Sequence, residues 1–332
     1  MKAFAASILT AALVLAVPVS PTVAADKAER VLSITDERIT ESSGLAVSTS
    51  DPTLLYTIND SGNIPAVYAV DKKSGDVVGV TTISGYTLSD TEALGIGSDG
   101  TMWVADIGDN NADRTDIALY AFPEPGRGDS TVTPKRYPLR YRSGPQDAEA
   151  LLVGPESRRI LVVSKALTGG DVYAAPRRLR TDRPNTLRRV RSAQAPPIVT
   201  DGSFTPDGRR AVLRTYGSAV MYDSATWDEL WSDDLPPQPQ GESLTVEPDG
   251  DSFLIGSEGS PSTVLRLDLP ESEGTQEPQT RERDHESDAS EETEDRDLWL
   301  KVLVGLLVVL VLLVVWIVVT ARRDRRRDRV DR

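Results

Sequence analysis

The chain has 332 residues and carries a net charge of −14, with 51 Asp and Glu against 37 Lys and Arg. It contains no cysteine and one histidine, His285. These counts exclude a disulfide framework, histidine-assisted serine or cysteine catalysis in any segment lacking His285, and zinc sites of the usual ligand types; the acidic balance argues against nucleic acid as a partner.

In chain order, the first element is a predicted signal peptide over 1–25. Lys2 gives a positive start, Ala3 to Val17 is apolar, and Val23-Ala24-Ala25 offers a small-residue cleavage site. From Asp26 to Leu269 about 244 residues follow in which a short motif returns. Its copies are Glu41-Ser42-Ser43-Gly44-Leu45, Asp90-Thr91-Glu92-Ala93-Leu94, Asp147-Ala148-Glu149-Ala150-Leu151, Thr200-Asp201-Gly202-Ser203-Phe204 and Gln240-Gly241-Glu242-Ser243-Leu244. Each is a polar turn running into an apolar strand, and a repeat of roughly 40–57 residues built this way is the signature of a β-propeller. Three or four short strands fit each repeat, and no segment of the domain has a 3.6-residue apolar period. Ser98-Asp99-Gly100, Pro206-Asp207-Gly208 and Pro248-Asp249-Gly250 read as equivalent hairpin turns. The fold class expected is therefore all-β, a propeller of five blades, or six if an interval such as Leu94 to Leu151 conceals a degenerate unit. The last repeat is one strand short, and Arg30 to Ile34 is a spare strand at the other end that can complete it and remove an exposed edge.

Residues 270–297 change character. Twelve carboxylates face only Arg281, Arg283 and Arg296, so the segment reads as a disordered acidic stalk, and it contains the single histidine. Residues 298–320 are read as a transmembrane helix around the uncharged run Val302 to Thr320, with Trp299 and Trp316 near its ends. The arginine-rich tail over 321–332 then lies on the cytoplasmic side, which makes the protein a single-pass membrane protein with its propeller outside.

In a propeller the turn entering each inner strand and the turn after the second strand share one face. The metal-ligating candidates at this mouth are Asp90, Glu92, Asp106, Asp109, Asp147 and Glu149, since closely spaced carboxylates suit a hard cation such as calcium. The ligand-binding candidates are Asp60, Asn63, Arg114, Lys165, Arg214, Glu242 and Glu258. Plainer roles exist for the same residues: the acidic turns can cap strand entrances, the Asn-Asp-Gly loops can be simple turns, Arg114 can balance Asp109 or Asp113, and Tyr216 reads as packing.

The series Glu-Ser-Ser-Gly-Leu, Asn-Asp-Ser-Gly-Asn, Asp-Thr-Glu-Ala-Leu, Asp-Ile-Gly-Asp-Asn and Asp-Ala-Glu-Ala-Leu resembles the phytase-like β-propeller superfamily, especially its bacterial esterase-like-phytase and SdiA-regulated branches, over Glu41 to Leu269. The resemblance implies calcium-bound carboxylates with basic residues for phosphate. This chain lacks the Asp-Ala-Asp-Asp-Pro-Ala type motif and offers few cations, so no catalytic residue carries over. The leading expectation is a cell-surface propeller that binds an extracellular ligand or partner through an acidic, calcium-loaded mouth without catalysis. The alternatives are a calcium-assisted phosphate- or carboxyl-ester hydrolase and a structural scaffold of the envelope.

Overall fold

A computed structural model describes residues 28–61, 64–155 and 159–270. The expected signal peptide, stalk, transmembrane helix and tail lie outside the described residues, as does Asn63; among the described residues no helix is long and apolar enough to cross a membrane.

Those residues form twenty-one strands and no α-helix. Strand β1 (Glu29–Ile34) precedes the first repeat. The first repeat contributes β2 (Ser42–Val47), β3 (Leu54–Asn59), β4 (Ala66–Asp71) and β5 (Val77–Ile83). The second contributes β6 (Thr91–Ile96), β7 (Thr101–Asp106), β8 (Ala118–Pro123), a short β9 (Ser130–Val132) and β10 (Lys135–Tyr141). The third gives β11 (Ala148–Val153), β12 (Ile160–Ser164), β13 (Val172–Ala174) and β14 (Asn185–Arg189). The fourth gives β15 (Val199–Phe204), β16 (Arg210–Thr215), β17 (Ser218–Asp223) and β18 (Glu229–Asp234). The last gives only β19 (Ser243–Val246), β20 (Ser252–Gly256) and β21 (Ser262–Asp268).

Within each repeat the strands pair antiparallel as a meander, and the short last repeat is completed from the other end of the chain: β1 pairs with β21, Leu32 opposite Val264 and Ile34 opposite Ser262. Strand β9 does not begin another meander. It lies parallel to the outer strand β5, so the long second interval spends its surplus on the edge of the first unit. The outer strands β10 and β14 also pair in parallel, which joins the second and third sheets.

The first strands pack side by side in sequence, β2 on β6, β6 on β11, β11 on β15, β15 on β19, and β19 returns to β2. This closed order is that of a β-propeller. It explains the burial pattern, because strands near the axis are covered on both faces and read as continuous apolar runs. Every residue of β2 and β3 is buried, whereas outer β5 alternates. The hydrophobic clusters lie between neighbouring sheets: Leu94 and Met102 of the second repeat pack with Tyr56 and Val67 of the first, and Leu152 and Leu161 pack with Phe204 and Leu213.

The three Asp-Gly turns share one hydrogen-bond scheme. Gly100, Gly208 and Gly250 have φ of 71°, 69° and 78°. Their N–H groups donate to the carbonyls of Gly97, Thr205 and Glu247 at 2.7–2.9 Å, while Asp99, Asp207 and Asp249 each accept from the N–H two residues on at 3.0–3.1 Å. Only glycine adopts the left-handed backbone without penalty, and aspartate supplies the local acceptor, so the dipeptide fixes the hairpin between first and second strands.

Candidate active site

The repeated motif builds the opposite end of the channel from these hairpins. In four repeats a residue one or two positions after the second strand donates its N–H to the carbonyl of the first motif residue: Asp60 to Glu41 at 3.0 Å, Ile107 to Asp90 at 3.1 Å, Lys165 to Asp147 at 2.9 Å and Glu258 to Gln240 at 2.8 Å. The two sets of turns are thus tied together on one face. Glu92 and Glu149 occupy β-bulges. The register slips between Thr91 and Ala93 and again between Ala148 and Ala150, leaving each glutamate as the extra residue. A bulge re-aims a side chain out of the regular alternation, and here it brings the glutamates of two adjacent inner strands close enough for each to act on the other's carboxyl.

Around them further carboxyl groups are buried or half-buried, and few cations answer them. Asp60, Asp90 and Glu92 each place an oxygen within 4.8 Å of the other two. Asp60 is hydrogen-bonded to Asp90, and its Oδ1 is buried without a partner. Burial, then the hydrogen bond to Asp90, then the charges of Asp90, Glu149 and Glu258 push its carboxyl up to about 8. Glu92 is raised well above the carboxylate range by burial and by Glu149, Asp60 and Asp90. Glu149 is held at about 7, raised by burial and pulled back by Lys165, whose Nζ lies 3.0 Å away. Burial works against the Lys165 charge, yet Glu149 and Glu242 hold that charge firmly. Glu258 rises to about 7 through burial and the nearby Glu242 and Glu41. Glu242, itself only 5% exposed, has one oxygen accepting from Gln240 at 3.2 Å and the other buried without a partner. Carboxyls that share protons, grouped around one lysine, are how a protein prepares acid–base chemistry near neutral pH.

The other candidates have structural work. Asp106 takes the N–H groups of Ser89 and Asp90 at 3.3 and 3.0 Å and a salt bridge from Arg114 at 2.7 Å, and burial still raises its carboxyl. Arg114 also donates to the Gly108 carbonyl at 2.5 Å, so the pair clamps its own loop rather than presenting a cation to the mouth. Asp109 is likewise taken from the expected metal set: its two oxygens accept the N–H groups of Asp113 and Arg114, both at 2.9 Å, as the cap of a tight turn. Asp147 accepts the Asp109 N–H at 2.9 Å and is raised by burial. Arg214 departs furthest from the expectation. Its side chain is fully buried, and Nη1 donates to the carbonyls of Ser243 and Gly256, both at 2.7 Å, while Nη2 donates to Gln238 at 2.6 Å. It rivets the fourth repeat to the fifth, and burial lowers its pKa to about 10. The reason is its place on β16 opposite Asp201, where the strand meets the next sheet instead of open channel.

Sequence reasoning undervalued three neighbours. Tyr216 is 40% exposed, and its ring lies 5.4 Å from the Lys165 ammonium, a cation–π contact at the rim rather than core packing. Its position directly after a second strand, matching Lys165, was the available signal. Asp201 is buried and accepts the Leu244 N–H at 2.7 Å, stitching one inner strand to the next. At Gly108 a Cβ would stand 2.3 Å from Glu92 Oε1 and 2.5 Å from Asp90 Oδ2, so the loop passes flush against the carboxyl cluster only because that residue is glycine.

No protein-family model matches the sequence, and no curated relative is similar to it. Among solved structures, the chain is similar to a gluconolactonase from Xanthomonas campestris, described as important in glucose secondary metabolic pathways, with a TM-score of 0.43 and 13% identity over 71% of this chain and 88% of that one. The expectation of a binder without catalysis gives way to its hydrolase alternative, which rests on this chain's own mouth, where Lys165 Nζ lies 3.0 Å from Glu149 among other carboxyl groups. The phytase-like resemblance gains no support from that comparison.

Proposed function

We propose that the chain is a hydrolase of neutral carboxyl esters, cyclic esters included, working at the acidic mouth of a five-bladed propeller. The closed succession of inner strands β2, β6, β11, β15 and β19 supports the blade count. The observation that carries the reading is the Glu149–Lys165 pair at 3.0 Å, in which a buried glutamate meets a part-buried lysine among the carboxyl groups of the mouth. Phosphate esters fit less well, because Arg114 and Arg214 are committed to their own loops and sheets, and a mouth left with Lys165 repels a dianion.

Asp60, Asp90 and Glu92 have the donor set for a hard divalent cation, calcium on the sequence reading, and the orphaned Asp60 Oδ1 fits that role. Bound there, such a cation supplies Lewis-acid polarisation of an ester carbonyl and acidifies water. The protein's own groups divide the remaining work. Glu149, whose carboxyl burial raises toward neutral pH, removes a proton from the attacking water and returns it to the leaving alkoxide, and Lys165 offsets the charge that develops on the carbonyl oxygen. Gly108 lets its loop pass close against the cluster without a side chain displacing Glu92 or Asp90.

The test is a substrate panel of aryl esters, lactones and phosphomonoesters, with calcium and with chelator. Carboxyl esters are turned over and phosphomonoesters are not. Glu149→Gln lowers kcat by about 100-fold or more while the chain stays folded, as expected for loss of a general base. A carboxyl-ester rate unchanged in that variant, or phosphomonoesters preferred, refutes the assignment. Residence at the membrane, propeller outward, belongs to the proposal as well; a chain ending at Leu269 that still sedimented with membranes would remove the anchor at 298–320.

A further inference from the structure

The chain is acidic, yet one face of it is strongly basic. Residues 174–192 contain seven arginines and a single carboxylate, Asp182. In the fold they are not dispersed. Arg140 and Arg142, at the end of β10, and Arg188 of β14 meet Arg178, Arg180 and Arg183 from the loop between β13 and β14, around a cleft of about 830 Å³. All six are exposed. Only two have partners for their side chains: Arg140 donates to Thr186 at 2.8 Å, and Arg180 pairs with exposed Asp182 at 3.2 Å. The side chains of Arg142, Arg178, Arg183 and Arg188 make no hydrogen bond or ion pair among the described residues.

The loop that carries half of them is built rather than loose. Asn185 is 3% exposed and spends its whole amide on it: Oδ1 accepts the Arg180 N–H at 2.8 Å, while Nδ2 donates to the carbonyls of Arg180 and Pro138, both at 2.9 Å. That one side chain closes the loop and fastens it to β10 of the neighbouring sheet. Leu179 packs onto the core beneath, and Pro176 and Pro184 restrict the backbone at either end. Six guanidinium groups held close with Asp182 as the one nearby carboxylate are a standing electrostatic cost, and a rigid loop keeps them from spreading apart. Guanidinium forks match tetrahedral oxyanions two hydrogen bonds at a time. We propose that this cleft, on the outer edge of the second and third sheets and away from the carboxyl mouth, binds clustered phosphate groups, whether borne on lipid headgroups or on a soluble polyphosphate.

The experiment compares full-length chain with a triple variant, Arg142→Gln, Arg178→Gln and Arg183→Gln, whose side chains have no partners to lose. A charge-matched control, Lys73→Gln, Lys135→Gln and Arg209→Gln, removes the same charge elsewhere. One arm measures binding of inorganic polyphosphate by calorimetry, the other binding to phosphatidylglycerol–phosphatidylcholine vesicles against phosphatidylcholine alone. The cleft variant weakens binding by about tenfold or more, the control by about twofold or less, and the wild-type interaction fades as salt rises from about 50 to about 500 mM. Response in the polyphosphate arm alone identifies a soluble ligand, and response with vesicles identifies the headgroup. Absence of binding in both arms, or a cleft variant equal to its control, overturns the proposal. Ester hydrolysis at the mouth is unchanged in the cleft variant, so the two assignments fail independently.

Discussion

Arg214 looked like a ligand-binding cation and proves to be a rivet between repeats, and this difference in role can be measured. In Arg214→Met an unbranched side chain of similar length replaces the guanidinium, so the loss is mainly polar. The carbonyls of Ser243 and Gly256 and the Gln238 amide oxygen each lose a donor at 2.6–2.7 Å inside the protein. A buried acceptor left without a partner costs about 1–3 kcal/mol, and removal of one member of a buried charged network costs about 3–5 kcal/mol. Asp201 and Glu242 also lose the positive charge that acts on both. Met recovers part of this by packing, so the expected loss is about 3–5 kcal/mol, a large share of the roughly 5–15 kcal/mol that holds a domain together. Urea unfolding reads it as a lower midpoint at unchanged slope. Arg214→Lys, which keeps the charge but not the fork, falls in between. A loss below about 1 kcal/mol for the methionine variant, with ester hydrolysis abolished, would return Arg214 to the mouth as a substrate-binding group and refute the structural role.

Gly241→Ala attacks the same rivet from the other side, since the new Cβ would stand 1.9 Å from Arg214 Nη2; overpacking of about 1–3 kcal/mol is expected in the same urea titration. Deleting residues up to Asp36 removes the buried Leu32 and Ile34 and bares β21, which costs about 3–6 kcal/mol at 1.5–3 kcal/mol per side chain; an unchanged melting temperature would mean that the ring closes without β1. Because Asp60 at about 8, Glu149 at about 7 and Glu258 at about 7 all titrate above ordinary carboxylates, the folded state binds their protons more tightly than the unfolded state. Their stabilisation is complete below about pH 4 and is lost as pH rises through 7–8, so in chelator the melting temperature falls between pH 5 and pH 8 and calcium at pH 8 restores it; a flat or rising profile contradicts the cluster. Glu247 acts in the opposite sense and in another window. Burial works to raise its carboxyl, but hydrogen bonds from Arg266, Lys72 and Ser252 bring it down to about 2, and its contribution disappears only as pH drops from about 4.5 toward 2.

What was legible in the sequence was whatever the backbone repeats. The Asp-Gly turns announce themselves because glycine alone adopts their φ without steric penalty, and the apolar second half of each motif announces itself because an inner strand is covered on both faces. The completing strand Arg30 to Ile34 was legible by subtraction, one repeat having three strands. Strand β9 was not. Three residues of Ser-Thr-Val pairing in parallel with a strand some fifty positions earlier leave no local periodicity to detect.

Site residues were harder for a related reason: the motif fixes a place in the chain, while a bulge decides where its side chain goes. Glu92 and Glu149 stand at bulges and face the axis. At the same register in the fourth repeat, between Val199 and Asp201, stands Thr200, whose hydroxyl donates to the Gly241 carbonyl at 2.9 Å, and the neighbouring Asp201 turns into the sheet contact. In the first repeat the slip falls at Gly44, between Ser43 and Leu45, and Ser43 donates to the Glu92 carbonyl at 2.6 Å. One repeated backbone feature therefore serves two ends. In the second and third repeats it aims a carboxyl group at the channel, and in the first and fourth it ties an inner strand to the next one. The two bulge-borne carboxyl groups therefore come from adjacent repeats, with Lys165 3.0 Å from one of them, while Arg214 closes the seam between the fourth repeat and the fifth.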